Sequence, residues 1–266
     1  AYSLGYILSG FIIFIIGKIA YKQLHPNINI QQELVEKDNF AFILSYVGFF
    51  AALTIAIGGT IVGESYDFIT DIQHIFIYGI SATFLLLLAA WISNKVILHK
   101  FDLKKEIIVD KNEGSGIIEA AIFIANGVIL YGALVGESET LLQGITTFVV
   151  YWFIGNIVLI IASKIFISWM SYDIHEAIEK DNVAAGVSFS GAIIAIGIIT
   201  MNAIIDPFVD WTSTLVNISI QTVLGCILLP IMRVFADKIL LPGQKLTDEI
   251  VNQEKPNIGA GLIEAF

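Results

Sequence analysis

The sequence predicts an all-α polytopic membrane protein, and three observations carry that prediction. Of its 266 residues, 56% are apolar and 14% charged, where a soluble domain carries roughly 25% charged. Mean hydropathy is +0.82, which leaves too little polar surface to cover a water-soluble globule. The apolar residues run continuously for helix-spanning lengths of about 20 residues, without the alternation of a membrane β-strand. A soluble enzyme and a disordered linker are excluded. Only 14 Lys and Arg argue against a nucleic-acid partner. A single cysteine, Cys226, excludes an intramolecular disulfide framework and a cysteine zinc site.

Eight spans are predicted, at 3–21, 41–62, 74–98, 116–135, 141–167, 183–205, 212–240, and a start at 258. The first is not a cleavable signal, because Lys18 and Lys22 lie at its far end. Pro230 is expected to kink the seventh span. The eighth reads as the opening turns of a truncated span, and the chain is expected to continue past both ends.

Basic residues cluster at alternate loops. Lys18, Lys22 and Lys37 flank the first; Lys95, Lys100, Lys104, Lys105 and Lys111 mark the second; Lys164 and Lys180 flank the third; Arg233, Lys238, Lys245 and Lys255 mark the last. The other loops hold acids: Glu64, Asp67, Asp71, Glu137, Glu139, Asp206 and Asp210. The positive-inside rule places the basic linkers in the cytoplasm and the amino terminus outside. The acids read either as solubilising groups or as a cation-attracting vestibule.

The chain is a repeat of a repeat. A shift of 143 residues takes Glu33 to Glu176, Asn39 to Asn182, Ser45 to Ser188, Gly48 to Gly191 and Glu106 to Glu249. After two inserted residues a shift of 145 takes Asn112 to Asn257 and Glu119 to Glu264. A shift of 73 takes Asn39 to Asn112, and Val62-Gly63-Glu64-Ser65 to Val135-Gly136-Glu137-Ser138. The unit is a helical hairpin, and four such hairpins of one orientation make parallel repeats. The expected fold is therefore two tandem four-helix transmembrane units, 1–139 and 140–266, the second with its last span incomplete.

Each cytoplasmic linker carries a Glu followed by an Asn: Glu33 and Asn39, Glu106 and Asn112, Glu176 and Asn182, Glu249 and Asn257. Small residues follow, as in Gly114-Ser115-Gly116 and Ala184-Ala185-Gly186. Asparagine is a strong helix N-cap, and small residues allow close helix approach in lipid. The linker is thus read as scaffold. The rival reading is a ring of four helix N-termini that binds anions or lines a pore mouth.

The segment from Tyr172 to Gly186, with Glu176, Asn182 and the small residues after it, resembles the YjfL-type family of small bacterial inner-membrane proteins of unknown function. The resemblance covers the whole chain as two fused copies of a duplicated hairpin. Phe40-Ala41-Phe42 and the longer, proline-containing last linker depart from it. It implies a bacterial inner membrane, a stress or transport role, and a homo-oligomer or a cytoplasmic stress-response partner.

Glu119 and Glu264 each follow their cap by seven residues, ~10 Å along a helix. A carboxylate at that depth needs pairing, hydration or a proton. With Ser45 and Ser188 they form the candidate ion- or solute-binding set. Arg233 and Asp237 are expected to pair as an i, i+4 couple. Asn126, Asn156, Asn202, Asn217 and Gln221 are expected to join helices. Trp169 and Trp211 are expected at the interfaces, with Trp91 and Trp152 packed inside. The four histidines show no metal-ligand spacing, and no phosphate loop or nucleophile elbow appears. No cofactor, metal or catalytic residue is expected. The function predicted is an ion or small-solute channel or transporter; the alternative is a membrane scaffold that docks a partner through its linkers.

Overall fold

The structure, a computed structural model, describes residues 2–62, 67–135, 140–206, 208–241 and 243–266. Among the described residues, seven helices are long and apolar enough to cross a membrane. They are α1 (Tyr2–Leu24), α2 (Phe40–Val62), α3 (Phe68–Val96), α4 (Glu113–Val135), α5 (Leu141–Trp169), α6 (Val183–Ile204) and α7 (Trp211–Phe235). A shorter helix, α8, covers Ile258–Ala265. The chain is an all-α polytopic membrane protein.

The acids of the alternate loops start helices. Asp67 accepts from the amides of Ile69 and Thr70 at 3.0 and 3.2 Å. Asp210 accepts from that of Ser213 at 2.9 Å, and Thr140 accepts from that of Gln143 at 3.2 Å. Each satisfies backbone donors that a first turn leaves free. The Asp67 cap is why α3 starts six residues before the predicted span: the polar turn ahead of the apolar run is already helical. Glu64, Glu137, Glu139 and the Val62–Ser65 and Val135–Ser138 matches reach positions 63–66 and 136–139, outside the described residues.

The core is a row of four helices in the order α2, α4, α6, α8. Gly116 meets Ala41 backbone, and a Cβ at Gly127 would lie 2.5 Å from the Ala52 carbonyl oxygen. Contacts therefore climb both helices together, and α2 and α4 run in the same direction. The same holds for α4 and α6, where Gly114 meets Gly186 and Ala125 meets Gly197, and for α6 and α8, where Ala184 meets Gly261. Backbone-to-backbone approach maximises van der Waals contact where water gives no hydrophobic drive. The helices α1, α3, α5 and α7 flank the row. Neighbours in sequence run antiparallel: Asn156 donates to Asn126 at 2.9 Å while Gly155 meets Ile129. The row holds the core, with more than half of each α2, α4 and α6 window buried against 11% for the last flanking helix.

Several expectations change here. Trp91 is 60% exposed, not packed, because it faces away from the row. Asn126 with Asn156, and Asn217 with the Ala203 carbonyl at 2.9 Å, do join helices. Asn202 and Gln221 bond within their own helices instead.

Candidate functional site

The linkers build one end of the molecule. In the first, second and fourth, the Glu begins or lies within a single π-turn: Gln32–Glu36, Glu106–Asp110 and Asp248–Asn252. The wide turn lets the Asn amide reach back to the Glu carbonyl, as in Asn39 to Glu33 at 3.0 Å and Asn112 to Glu106 at 2.9 Å. Asp38, Lys111 and Asp181, each just before an Asn, have positive φ. That left-handed residue ends the turn and aims the next one. Proline cannot adopt it. With Pro256 before Asn257, two extra residues are used, and the Asn257 amide still meets the Glu249 carbonyl at 2.9 Å.

All four asparagine side chains cap a helix, and the first three also reach forward. Each oxygen caps its own helix: Asn39 accepts from Phe42, Asn112 from Ser115, Asn182 from Ala185 and Asn257 from Ala260. In the first three the amide donates forward to the next linker. Asn39 reaches the Ile107 carbonyl at 2.9 Å, Asn112 that of Ile178 at 2.6 Å and Asn182 that of Ile250 at 2.7 Å. The caps stand in a line along the row, and three of them are buried with their polar atoms occupied. Asn39, Asn112 and Asn257 also donate to Glu33, Glu106 and Glu249. Glu176 departs from this. Asp173 caps an ordinary helix at Ile174–Glu179, Asn182 bonds back to Ala177, and Glu176 turns outward to Lys180 at 2.5 Å.

Glu33 and Glu106 are both buried but differ in charge balance. Burial raises the Glu33 carboxyl, yet hydrogen bonds from Lys37 and Asn39 outweigh it and hold it below its ordinary value. Burial dominates at Glu106 and pushes it up, against the Asn112 bond and with Asp110 adding to the rise. The depressed group stabilises the fold above the usual carboxylate range and loses that contribution as pH falls. The raised group contributes in acid and loses it as pH rises through its folded-state value. In melting curves of detergent-solubilised protein from acid to neutral pH, Glu33→Gln should cost most at neutral pH. Glu106→Gln should cost least there. Parallel profiles for the two variants would contradict these assignments.

The two deep carboxylates sit among similar residues but are bonded differently: Glu119 accepts hydrogen bonds, whereas the Glu264 oxygens, the Ser188 hydroxyl and the Tyr172 hydroxyl have no hydrogen-bond partner among the described residues. Ser45 on α2 donates to Glu119 on α4 at 2.5 Å, and Asn94 on α3 donates at 3.1 Å. Tyr21 of α1 lies against both Ser45 and Glu119. The second copy places Ser188 of α6 beside Glu264 of α8, with Tyr172 against both. Tyr172 follows α5 outside the spans, and burial with the nearby Glu264 drives its phenol far above its ordinary value. The copies differ in their last partner. Arg233 of α7 pairs with Glu264 at 2.5 Å, and the Glu264 side chain is 2% exposed. No Lys or Arg pairs with Glu119 among the described residues. The expected Arg233–Asp237 couple is thus corrected: Arg233 turns into the bundle, and Asp237 accepts the Leu246 amide at 2.6 Å.

A family model described as Domain of Unknown Function (DUF350) matches residues 1–134 and again 140–266. The chain belongs to that family. A bacterial relative, the UPF0719 transmembrane protein of Aquifex aeolicus (strain VF5), is 24% identical over 262 residues, covering 96% of this chain and 94% of the relative. No solved structure matches. The match corrects the resemblance drawn to the YjfL-type family; DUF350 accounts for nearly the whole chain. Each DUF350 match contains one serine–carboxylate pair, Ser45 with Glu119 and Ser188 with Glu264.

Tyr21, Asn94, Tyr172 and the true partner of Arg233 were not found from sequence. Tyr21 and Tyr172 are 151 positions apart, so the 143-residue shift does not align them. Among the described residues no three His, Cys, Asp or Glu side chains converge to hold a metal.

Proposed function

We propose that this DUF350 protein takes up a proton or a small monovalent cation at Glu119 and couples it to ion or solute movement. One observation carries the reading. A tyrosine, a serine and a carboxylate stand together in both copies, hydrogen-bonded serine to carboxylate in the first, and in the second Arg233 supplies a positive charge that the first lacks among the described residues. Among the described residues Glu119 has neutral donors alone, and in this reading an exchangeable cation or proton supplies the balancing charge. The Asn94 oxygen, buried without a donor among the described residues, adds an acceptor on the same side chain that donates to Glu119.

In this reading the basic linkers are cytoplasmic, by the positive-inside rule, and the membrane is a bacterial inner membrane. Residues 1–139 and 140–266 are two four-span units built from four similarly directed hairpins, with α8 opening the eighth span. The parallel register of the row supports that division.

In sealed proteoliposomes with imposed proton, sodium or potassium gradients, wild-type protein should carry flux and Glu119→Gln should abolish it. Glu264→Gln should lower the melting temperature, because it leaves the partly buried Arg233 without its carboxylate partner. Equal flux in Glu119→Gln and wild type overturns the assignment of the site.

A second reading, a non-transporting scaffold whose linkers dock a cytoplasmic stress-response protein or a second copy, is favoured by the close packing of α2, α4 and α6. Absence of flux from wild type under every gradient selects it.

A further inference from the structure

We propose that the outer edge of α1 and α2, at the linker end, is a binding site for an anionic phospholipid. A cavity of about 850 Å³ opens there. Its lining includes Lys18, Lys22, Asn27, Leu34, Val35 and Tyr46, and contains no acid. Neither lysine forms an ion pair among the described residues, and with no acid in the lining nothing in the cavity balances their charge. Two unpaired ammonium groups one helical turn apart, at the inner end of a span, present concentrated positive charge to the headgroup layer.

The apolar surface continues the site inward. Tyr46 contacts Phe50 edge-on at 5.0 Å, and Phe50 contacts Phe14 of α1 at 5.7 Å. Both phenylalanines are partly exposed, and the neighbouring Val47 is 56% exposed. An acyl chain lying on this surface places its phosphate at the lysines.

A further helix of the row is excluded as the occupant. On α4 the face that receives α2 carries Gly116, Ala120 and Gly127, and on α6 the matching positions are Gly186, Ser190 and Gly197. The counterparts on α2 are Ile43, Val47 and Thr54. Gly116 and Gly127 touch backbone directly, so β-branched residues at these places hold a neighbouring helix away. Leu34, counterpart of Ile107, lines the cavity instead of meeting a preceding asparagine. The edge is shaped to end the row and face lipid.

The test is native mass spectrometry of the full chain released from nanodiscs of phosphatidylcholine mixed with phosphatidylglycerol. Wild type should retain phosphatidylglycerol preferentially. The preference should fall roughly 30-fold in Lys18→Gln/Lys22→Gln, the factor for about 1 kcal/mol per lysine. Lys18→Arg/Lys22→Arg should keep it, which separates charge from folding. An unchanged preference in the glutamine variant overturns the proposal. Displacement of the lipid by millimolar inorganic phosphate also overturns it, because the site then reads a free anion and not a lipid. Neither outcome depends on whether Glu119 carries ions.

Discussion

Gly127→Val should eliminate the folded protein. The Cβ of residue 127 would sit 2.5 Å from the Ala52 carbonyl oxygen and 2.7 Å from its Cα. No rotamer relieves a clash with backbone, so α2 and α4 must separate along their length. Overpacking of an adaptable core costs about 1–3 kcal/mol, and this contact falls at or above the upper end because neither side can yield. Ala52 is fully buried, and the α2–α4 contact is the most extensive in the molecule. The comparison variant is Gly10→Val on α1, where a Cβ has nothing within 4 Å. Fluorescence-detected gel filtration of heated detergent extracts should show Gly10→Val melting near wild type and Gly127→Val aggregated at the start. Equal melting would mean that the close approach of the two helices is wrong.

Asn112 offers the second large effect. Its oxygen accepts the Ser115 amide at 3.0 Å, and its nitrogen donates to Glu106 at 3.1 Å and to the Ile178 carbonyl at 2.6 Å. The side chain is buried. Asn112→Ala removes a helix cap, ~1 kcal/mol, and strands a buried carbonyl and a buried carboxyl, about 1–3 kcal/mol each. Asn112→Asp is expected to be worse than alanine at neutral pH. It keeps the cap but loses both donors and sets a second carboxylate against Glu106. Thermal unfolding of the two variants should rank wild type, alanine, aspartate. Aspartate equal to wild type would show that capping alone matters.

Much of the architecture was legible because lipid imposes it. Uninterrupted apolar runs located the seven long spans to within about six residues at each end, and the repeat shifts aligned the asparagines. The similar depth of Ser45 and Glu119 put them in one candidate set, and the structure brings the two side chains into contact. What escaped was set by the third dimension. Arg233 has Asp237 one turn away, and sequence distance favours that partner; packing of both α7 and α8 against α6 brings Glu264 within reach. The π-turns left no periodic signal, being five residues long. Glu176 kept its place in the motif and lost its contact, because Asp173 winds the third linker one hydrogen bond tighter. Tyr21 and Tyr172 reach like positions from unlike places in the chain.

The forward-reaching amides also give assembly a direction in time. Asn39, Asn112 and Asn182 each depend on a carbonyl 66 or 68 residues downstream. At ribosomal speed that is a delay of roughly 3–14 s, during which a newly inserted pair holds an unsatisfied donor at its mouth. Every arriving pair closes the bond left open by its predecessor, so the bundle is stitched from its first helices toward its last as synthesis proceeds.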